Sequence, residues 1–312
     1  MPATFLWLAV ARMREFVYFC NMNKTYSDMK TLLVQSGIEP YEAKAIALLL
    51  MEKVCGMTTT DVLTGQDGTA PTPQEMKALN MAEQVANGMP VQYALGEADF
   101  CGMTFRVAPG VLIPRPETEE LVDWIVKASQ PSTVNCQLST VNYLDIGTGS
   151  GCIAIALAKR MKEAAVSAWD ISPTALHIAQ ENAARNNVQV TFSQVDVLAP
   201  IDWEHIHSNS FDCIVSNPPY ICEEEAQEME RHVLEHEPHL ALFVPNDDPL
   251  LFYRRIGVLG LELLRQNRAL YFEINRRFGQ ETVAMLEALG YLHVELRQDC
   301  FGNDRMIKAI KP

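Results

Sequence analysis

Ser216-Asn217-Pro218-Pro219-Tyr220 directly follows a mostly apolar run from Phe211 to Val215 that has the pattern of a buried strand. Two successive prolines cannot continue a strand and fix a stiff turn, so the side chains of Asn217 and Tyr220 are presented at low entropic cost. The chemistry this suits is methylation of a planar, weakly nucleophilic NH2, in an amide or on the edge of a base. The side-chain oxygen of Asn217 and the carbonyl of Pro218 can accept its two N–H bonds and aim the nitrogen, while Tyr220 covers the planar group. No general base is demanded, because the methylated nitrogen can lose its proton after transfer. Asn217, Pro218 and Tyr220 are the catalytic candidates, and the same three with Pro219 are the substrate contacts.

Asp145-Ile-Gly147-Thr148-Gly149-Ser150-Gly151 lies between a predicted strand, Val141–Ile146, and a predicted helix over residues 152–161. Glycines at such a junction let the backbone turn sharply and approach a ligand closely. The spacing is G-x-G-x-G, and Cys152 stands where a dinucleotide fingerprint wants its third glycine, so NAD fits poorly. The acid that opens the motif would repel a pyrophosphate, and a cationic or zwitterionic ligand suits it better. Asp170, 23 residues after Gly147, ends the next strand, where this architecture puts a carboxylate for both ribose hydroxyls. Trp169 beside it either packs on a base or belongs to the core. Asp196 ends the third strand and can take the exocyclic amine of adenine. Three aspartates at successive strand ends describe a nucleoside site, and the acidic glycine loop makes its occupant S-adenosylmethionine. The cofactor candidates from the residues alone are Asp145, Gly147 to Gly151, Asp170 and Asp196.

The elements that must position these residues alternate. From residue 117 onward the pattern gives a helix over 119–128, the strand Val141–Ile146, a helix over 152–161, a strand over 165–170 and a helix over 173–186 capped by Ser172. It continues with strands over 190–195 and Phe211–Ser216, a helix over 250–266, a strand over 268–274 and a helix over 280–289. The βαβα rhythm predicts a parallel sheet with helices on both faces, and the last two strands, over 292–298 and 306–311 with Gly302-Asn303 between them, predict an antiparallel edge hairpin. Before it, residues 25–88 read as helical: Ser27 caps a run that stops at Gly37, residues 42–53 form a helix closed by Gly56, residues 64–73 a loop and residues 74–87 a further helix. Short β-prone pieces over 100–105 and 107–113 predict a hairpin between the two parts. The expected domains are thus a leader over 1–21, a helical domain over 22–89, a hairpin connector over 90–116 and a catalytic domain over 117–312.

The 312 residues carry 25 Lys plus Arg against 39 Asp plus Glu, a formal charge of −14. That field repels polyanions, and with no Lys/Arg run in the chain it argues against a nucleic-acid binder and against membrane-surface attraction. Eight cysteines without a C-x-x-C pair read as reduced thiols of a cytoplasmic protein. Residues 223–237 hold seven glutamates with His232 and His236; the chemistry needs no metal, and the segment reads as a solvated helix face or a substrate lid that would suit a basic protein partner. In the apolar stretch over residues 5–11, Arg12 and Arg14 follow instead of preceding, which argues against a signal peptide.

The residues in order also resemble a family, the N5-glutamine methyltransferases of peptide chain release factors (the HemK/PrmC type). The resemblance rests on Pro90-Val-Gln-Tyr-Ala-Leu-Gly96 with Phe100, Val111-Leu-Ile-Pro-Arg-Pro-Glu-Thr-Glu119, the Asp145 glycine loop, Asp170 and Ser216 to Ile221. It continues through Glu237-Pro-His-Leu-Ala-Leu242, Phe272-Glu-Ile274 and Phe301-Gly-Asn-Asp-Arg305, and so runs from Tyr26 to the C-terminus. Ile113 to Glu119 is its specific part, since Asn-Pro-Pro-Tyr is shared with adenine-N6 DNA methyltransferases. The resemblance implies a class I S-adenosylmethionine-dependent methyltransferase: a Rossmann-like, mostly parallel seven-stranded sheet with an antiparallel C-terminal strand, preceded by a helical domain that docks the factor. It implies that Arg115, Thr118 and Val197, an aliphatic residue where some relatives have an aromatic, join the cofactor contacts, as does Asn217. It also implies that Asn217 to Tyr220 hold the glutamine of the Gly-Gly-Gln loop of class I release factors, with no nucleic acid bound directly. The rival readings are an adenine-N6 DNA or RNA methyltransferase, a ribosomal-protein glutamine methyltransferase and a non-catalytic cofactor-binding scaffold.

Overall fold

The computed structural model describes residues 23–65, 71–129, 140–200 and 210–312, so the leader read over residues 1–21 and part of the loop read over 64–73 lie outside the described residues. The chain divides into two compact units, one ending at Leu95 and the other beginning at Gly96.

The described part of the first unit is helical: α1 (Lys24–Gln35), α2 (Pro40–Cys55), α3 (Thr59–Thr64), α4 (Pro73–Ala86) and α5 (Val91–Leu95). Apolar residues at helical spacing meet in one core, with Met29, Leu33, Ala47, Leu50, Met51, Ala78 and Ala82 fully buried. Thr58 and Thr72 cap α3 and α4 through reciprocal bonds with Asp61 and Glu75. The expected cap at Ser27 is corrected. Asn23 starts α1, its side chain accepting the Tyr26 N–H at 3.1 Å, while the Ser27 N–H already bonds the Asn23 carbonyl as part of the helix.

The second unit opens with a hairpin, β1 (Glu97–Phe100) and β2 (Met103–Arg106), turned at Cys101 and Gly102. The extended piece read over 107–113 is not a strand. Pro109 has no N–H for a ladder and Gly110 sits at φ +108°, so the chain turns there and buries Val107, Val111 and Ile113.

Then α6 (Pro116–Ala128), β3 (Val141–Ile146), α7 (Cys152–Arg160), β4 (Ala164–Asp170), α8 (Pro173–Arg185), β5 (Thr191–Gln194) and β6 (Phe211–Ser216) alternate as expected. After short pieces, β7 (Ile221–Cys222), α9 (Arg231–His236), α10 (His239–Leu242) and β8 (Phe243–Val244), come α11 (Leu251–Leu263), β9 (Leu264–Glu273), α12 (Gly279–Ala288), β10 (Leu292–Gln298) and β11 (Asp304–Ile310). The helix read over 250–266 stops at Leu263 and β9 starts at once. Its pairing with β6 shifts register, and Asn267 at φ +61° takes up the irregularity.

The main sheet has seven strands in the order β10-β11-β9-β6-β3-β4-β5, with β11 antiparallel to both neighbours and the remaining pairs parallel. Alternation along each strand sends side chains to two cores: Tyr143, Cys213, Val215 and Tyr271 pack with α6 and α7, whereas Leu144, Ile214, Leu270 and Phe272 pack with α11 and α12. The chain runs from β3 outward to β5, then returns to place β6 on the other side of β3. That reversal opens a crevice beyond the carboxyl ends of β3 and β6, where ligands bind in such sheets.

Candidate active site

Both chemical motifs leave the sheet at that crevice. The glycine loop follows β3, the Asn-Pro-Pro-Tyr turn follows β6, and the Ser216 hydroxyl donates to the Ile146 carbonyl at 2.6 Å to join the two strand ends.

The loop is tied down from behind. The N–H groups of Gly147 and Thr148 both donate to the Trp169 carbonyl, at 2.8 and 2.9 Å, and the Gly149 N–H donates to Asp170 Oδ2 at 2.8 Å. Gly147 and Gly149 take φ of +73° and +56°, and a Cβ on either would meet only open space. Gly151 serves packing instead. A Cβ there would sit 2.9 Å from Ile155 Cδ1 and 3.0 Å from Ala179 Cβ, so its absence lets α7 and α8 approach.

Asp145 is fully buried behind the loop and does not face the crevice. Its Oδ2 accepts from the Thr148 hydroxyl at 2.6 Å and the Ala154 N–H at 3.2 Å, while Oδ1 is buried with no partner. Burial pushes its carboxyl up to about 7, against the pull of those two hydrogen bonds. Asp170 is also raised by burial, opposed by backbone N–H bonds from Ser172 and Gly149. Those bonds, at 2.9 and 2.8 Å, leave lone pairs on both of its oxygens. Trp169 is 4 % exposed and packs into the core, which removes it from the candidates for base stacking.

A cavity of about 470 Å³ occupies the crevice, within the usual range for small-molecule sites. Gly147, Gly149, Asp170, Asp196, Val197, Asn217, Pro218 and Pro219 line it, with apolar walls from Ile171, Ala175, Val195, Leu198 and Ile256. The loop's Thr148 and Ser150 are buried and turned inward. Asp196 folds back so that Oδ1 accepts the Leu198 N–H at 2.9 Å, and the Val197 carbonyl accepts from Arg255 Nε at 2.6 Å. A second cavity, about 180 Å³, is lined by Leu112, Arg115, Asn217, Tyr220, Val233 and Leu242 among others. Asn217 lines both cavities.

Arg115 lines the smaller cavity, and Thr118, buried, lines neither. The Asn217 Nδ2 donates to Thr118 Oγ1 at 3.4 Å, Thr118 donates to Glu273 Oε2 at 2.6 Å, and the Tyr220 hydroxyl donates to Glu273 Oε1 at 3.2 Å. Burial and the Glu273 carboxylate push the Tyr220 hydroxyl pKa up, so it stays a proton donor. Arg115 pairs with Glu237 at 2.5 Å, and the other oxygen of that buried carboxylate accepts the Ile113 N–H at 3.2 Å. The Asn275 side chain donates to the Tyr220 carbonyl at 3.0 Å and to Glu225 at 2.9 Å.

Glu273, Glu237, Asn275 and Glu225 were not among the sequence candidates. Glu273 and Glu237 stand inside the quoted Phe272-Glu-Ile274 and Glu237-Pro-His motifs, and for Glu273 a carboxylate closing the apolar end of a strand was the available signal. The glutamate-rich segment over 223–237 is therefore more than a solvated face, since Glu225 and Glu237 turn inward to hold the turn and the loop before α6. Among the described residues no group of three or more His, Cys, Asp or Glu could hold a metal ion.

The donor set fits a nucleoside carrying a cationic group: open glycines against the cavity, the carboxylates of Asp170 and Asp196 beside it, and apolar walls for a planar base. The comparisons agree in kind. Residues 132–240 match the family described as Methyltransferase small domain, and residues 26–96 match the PrmC N-terminal domain. The chain is 47% identical over 88% of its length to a release factor glutamine methyltransferase of Bacteroides thetaiotaomicron, covering 95% of that protein. It is 42% identical over 92% of its length to the protein of the same name in Flavobacterium psychrophilum, covering 98% of it. Among solved structures, the hMettl16 catalytic domain in complex with MAT2A 3'UTR hairpin 6 superimposes with a TM-score of 0.51 at 15% identity, over 77% of this chain and 81% of that one, a likeness of fold alone.

Proposed function

We infer the reaction from the family: this chain belongs to the release factor glutamine methyltransferases, and it transfers a methyl group from S-adenosylmethionine to the side-chain amide nitrogen (N5) of a release-factor glutamine. The acceptor is the glutamine of the Gly-Gly-Gln loop of class I peptide chain release factors. The observation that carries the reading is the meeting of two cavities at Asn217, a larger one suited to a nucleoside and a smaller one suited to a single side chain.

S-adenosylmethionine, when bound, supplies a methyl group on a sulfonium. Gly147 and Gly149 give its amino-acid end room against the backbone, the free lone pairs of Asp170 receive the ribose hydroxyls, and Asp196 with Val197 frames the base. Where the two cavities meet, Asn217 Oδ1 and the Pro218 carbonyl accept the two amide N–H bonds of the glutamine, so its nitrogen points to the methyl group. Tyr220 lies over the amide plane and, with Leu112 and Leu242, keeps water from it. As the N–C bond forms, the carbon–sulfur bond breaks with its electron pair left on sulfur, and the amide proton held at Asn217 passes to solvent as the product leaves the cavity. The helical first unit docks the factor, and the reaction takes place in the cytoplasm; no helix among the described residues is long and apolar enough to cross a membrane.

Labelled S-adenosylmethionine offered with purified class I release factor, with a variant lacking the loop glutamine, and with unmethylated DNA tests the reading. Label on the intact factor alone, mapped to that glutamine by mass spectrometry, is expected. Label on DNA, or on the variant at equal rate, would overturn it.

A further inference from the structure

We propose that Glu273 is a positioning residue for the transfer: by taking the Thr118 hydroxyl proton, it dictates which end of the Asn217 amide faces the substrate. The proposal rests on the reading of Asn217 as the group that receives the glutamine amide.

Glu273 closes β9 and is 1 % exposed. A threonine hydroxyl has one proton. At 2.6 Å that proton belongs to Glu273 Oε2, so Thr118 Oγ1 offers only lone pairs to its other neighbour. Asn217 must therefore meet it with Nδ2, the 3.4 Å contact, and Oδ1 is the end left for a substrate N–H. Were the Thr118 proton free to turn, Asn217 could reverse, and an NH2 would face the NH2 it has to hold. The Tyr220 hydroxyl proton is given to the second carboxylate oxygen, which holds the ring over the same cavity. Only an ionised carboxylate accepts at both oxygens without donating; a protonated acid or an amide at this position donates from one side and releases the hydroxyl it faces.

The groups that set the charge on Glu273 come from four places: Thr118 and Glu117 on α6, Tyr220 in the tetrad turn, Tyr253 on α11 and Arg305 on β11. Burial raises its pKa first, while the Thr118 bond, the Arg305 charge and the Tyr220 bond hold it down. Transfer accordingly needs Glu273 ionised, and kcat falls on the acid side as it takes up a proton.

The test compares Glu273→Gln, which keeps the shape and adds a donor, with Thr118→Val and Thr118→Ser. For Glu273→Gln, kcat on purified class I release factor should fall about 10²-fold, the scale of a misplaced reacting group. The KM for the factor and the Kd for S-adenosylhomocysteine should stay within about threefold, and the acid limb of the wild-type kcat profile should vanish. Thr118→Val should match it, Thr118→Ser should keep wild-type kcat, and the double variant Glu273→Gln with Thr118→Val should be no slower than either single one. The side-chain NH2 resonances of Asn217, identified by their loss in Asn217→Asp, should shift in Glu273→Gln and Thr118→Val. Retained kcat in Glu273→Gln, additive losses in the double variant, or a fall in cofactor affinity that tracks the fall in kcat would each overturn the proposal. If Glu273→Gln does not fold, the two Thr118 variants decide alone. A wild-type enzyme that leaves the factor unlabelled sinks the functional reading instead, and the Asn217 resonances still report on the relay.

Discussion

Asp145 carries its charge in an unusual place for a ligand-site acid. One oxygen is satisfied by Thr148 and Ala154, and the other is buried without a partner, so ionisation has to be supported by half a carboxylate's hydrogen bonds. Its folded pKa of about 7 lies well above that of an aspartate in an unfolded chain. The native state therefore holds a proton that the unfolded state has released, and this contribution to stability is whole below pH ~4 and lost as pH rises through about 7. Asp145→Asn stays neutral throughout. The stability of the wild type relative to Asp145→Asn, from urea unfolding without cofactor, is expected to fall by about 2–3 kcal/mol between pH 5 and pH 8. A difference that is flat with pH would mean the carboxylate is already ionised at pH 5. The acid at the head of the glycine loop was readable in the sequence, but its direction was not. Spacing places a residue at a strand end, while only the return of the Thr148 hydroxyl and the Ala154 N–H onto it shows that it braces the loop from behind.

The walls of the larger cavity come from elements far apart in the chain, and one buried carboxylate ties two of them. Glu237, at the end of α9, accepts from Ile113 N–H and Arg115, and so fastens the turn that supplies Pro109 to Leu112 to the segment that supplies Pro238, Leu240 and Ala241. Glu237→Ala leaves the Ile113 N–H buried and Arg115 without that partner. A loss of about 1–3 kcal/mol in unfolding free energy is expected, read by urea titration, because an orphaned buried donor costs that much. Calorimetry should show several-fold weaker binding of S-adenosylhomocysteine as the wall loosens. Unchanged cofactor affinity with reduced stability would confine Glu237 to folding. Elements such as β3 and β6 were legible to the residue because burial on both faces gives a mostly apolar run, broken only by Asn142 and Asp145 in one and by Asp212 and Ser216 in the other, that gives way to a glycine or proline turn. Residues 107–113 misled, since isolated Val107, Val111 and Ile113 look like a strand until Pro109 and Gly110 are allowed to turn the chain. Glu237 and Glu273 escaped notice because their partners stand 122 and 155 residues away, at Arg115 and Thr118, and no local pattern encodes such a pairing.

At the scale of the molecule, the two units have separate cores: every buried apolar residue of the first cluster lies between Tyr26 and Val85, and those of the other two between Phe100 and Ala309. All residues that line the two cavities belong to the second unit. A chain of 217 residues with two packed faces on one sheet is large enough to fold alone, and residues 96–312 should do so. That fragment is expected to bind S-adenosylhomocysteine with an affinity within about threefold of the whole chain, since nothing that touches the larger cavity has been removed. Methylation separates the roles. A short Gly-Gly-Gln peptide needs only the smaller cavity and should be modified at comparable rates by fragment and whole chain. If, as proposed, the first unit docks the factor and so brings its glutamine to Asn217, the fragment should lose kcat/KM on the intact factor by about 10²-fold or more. Equal rates on the intact factor would remove docking from the first unit, and a fragment that fails to bind cofactor would show that the second unit does not stand alone.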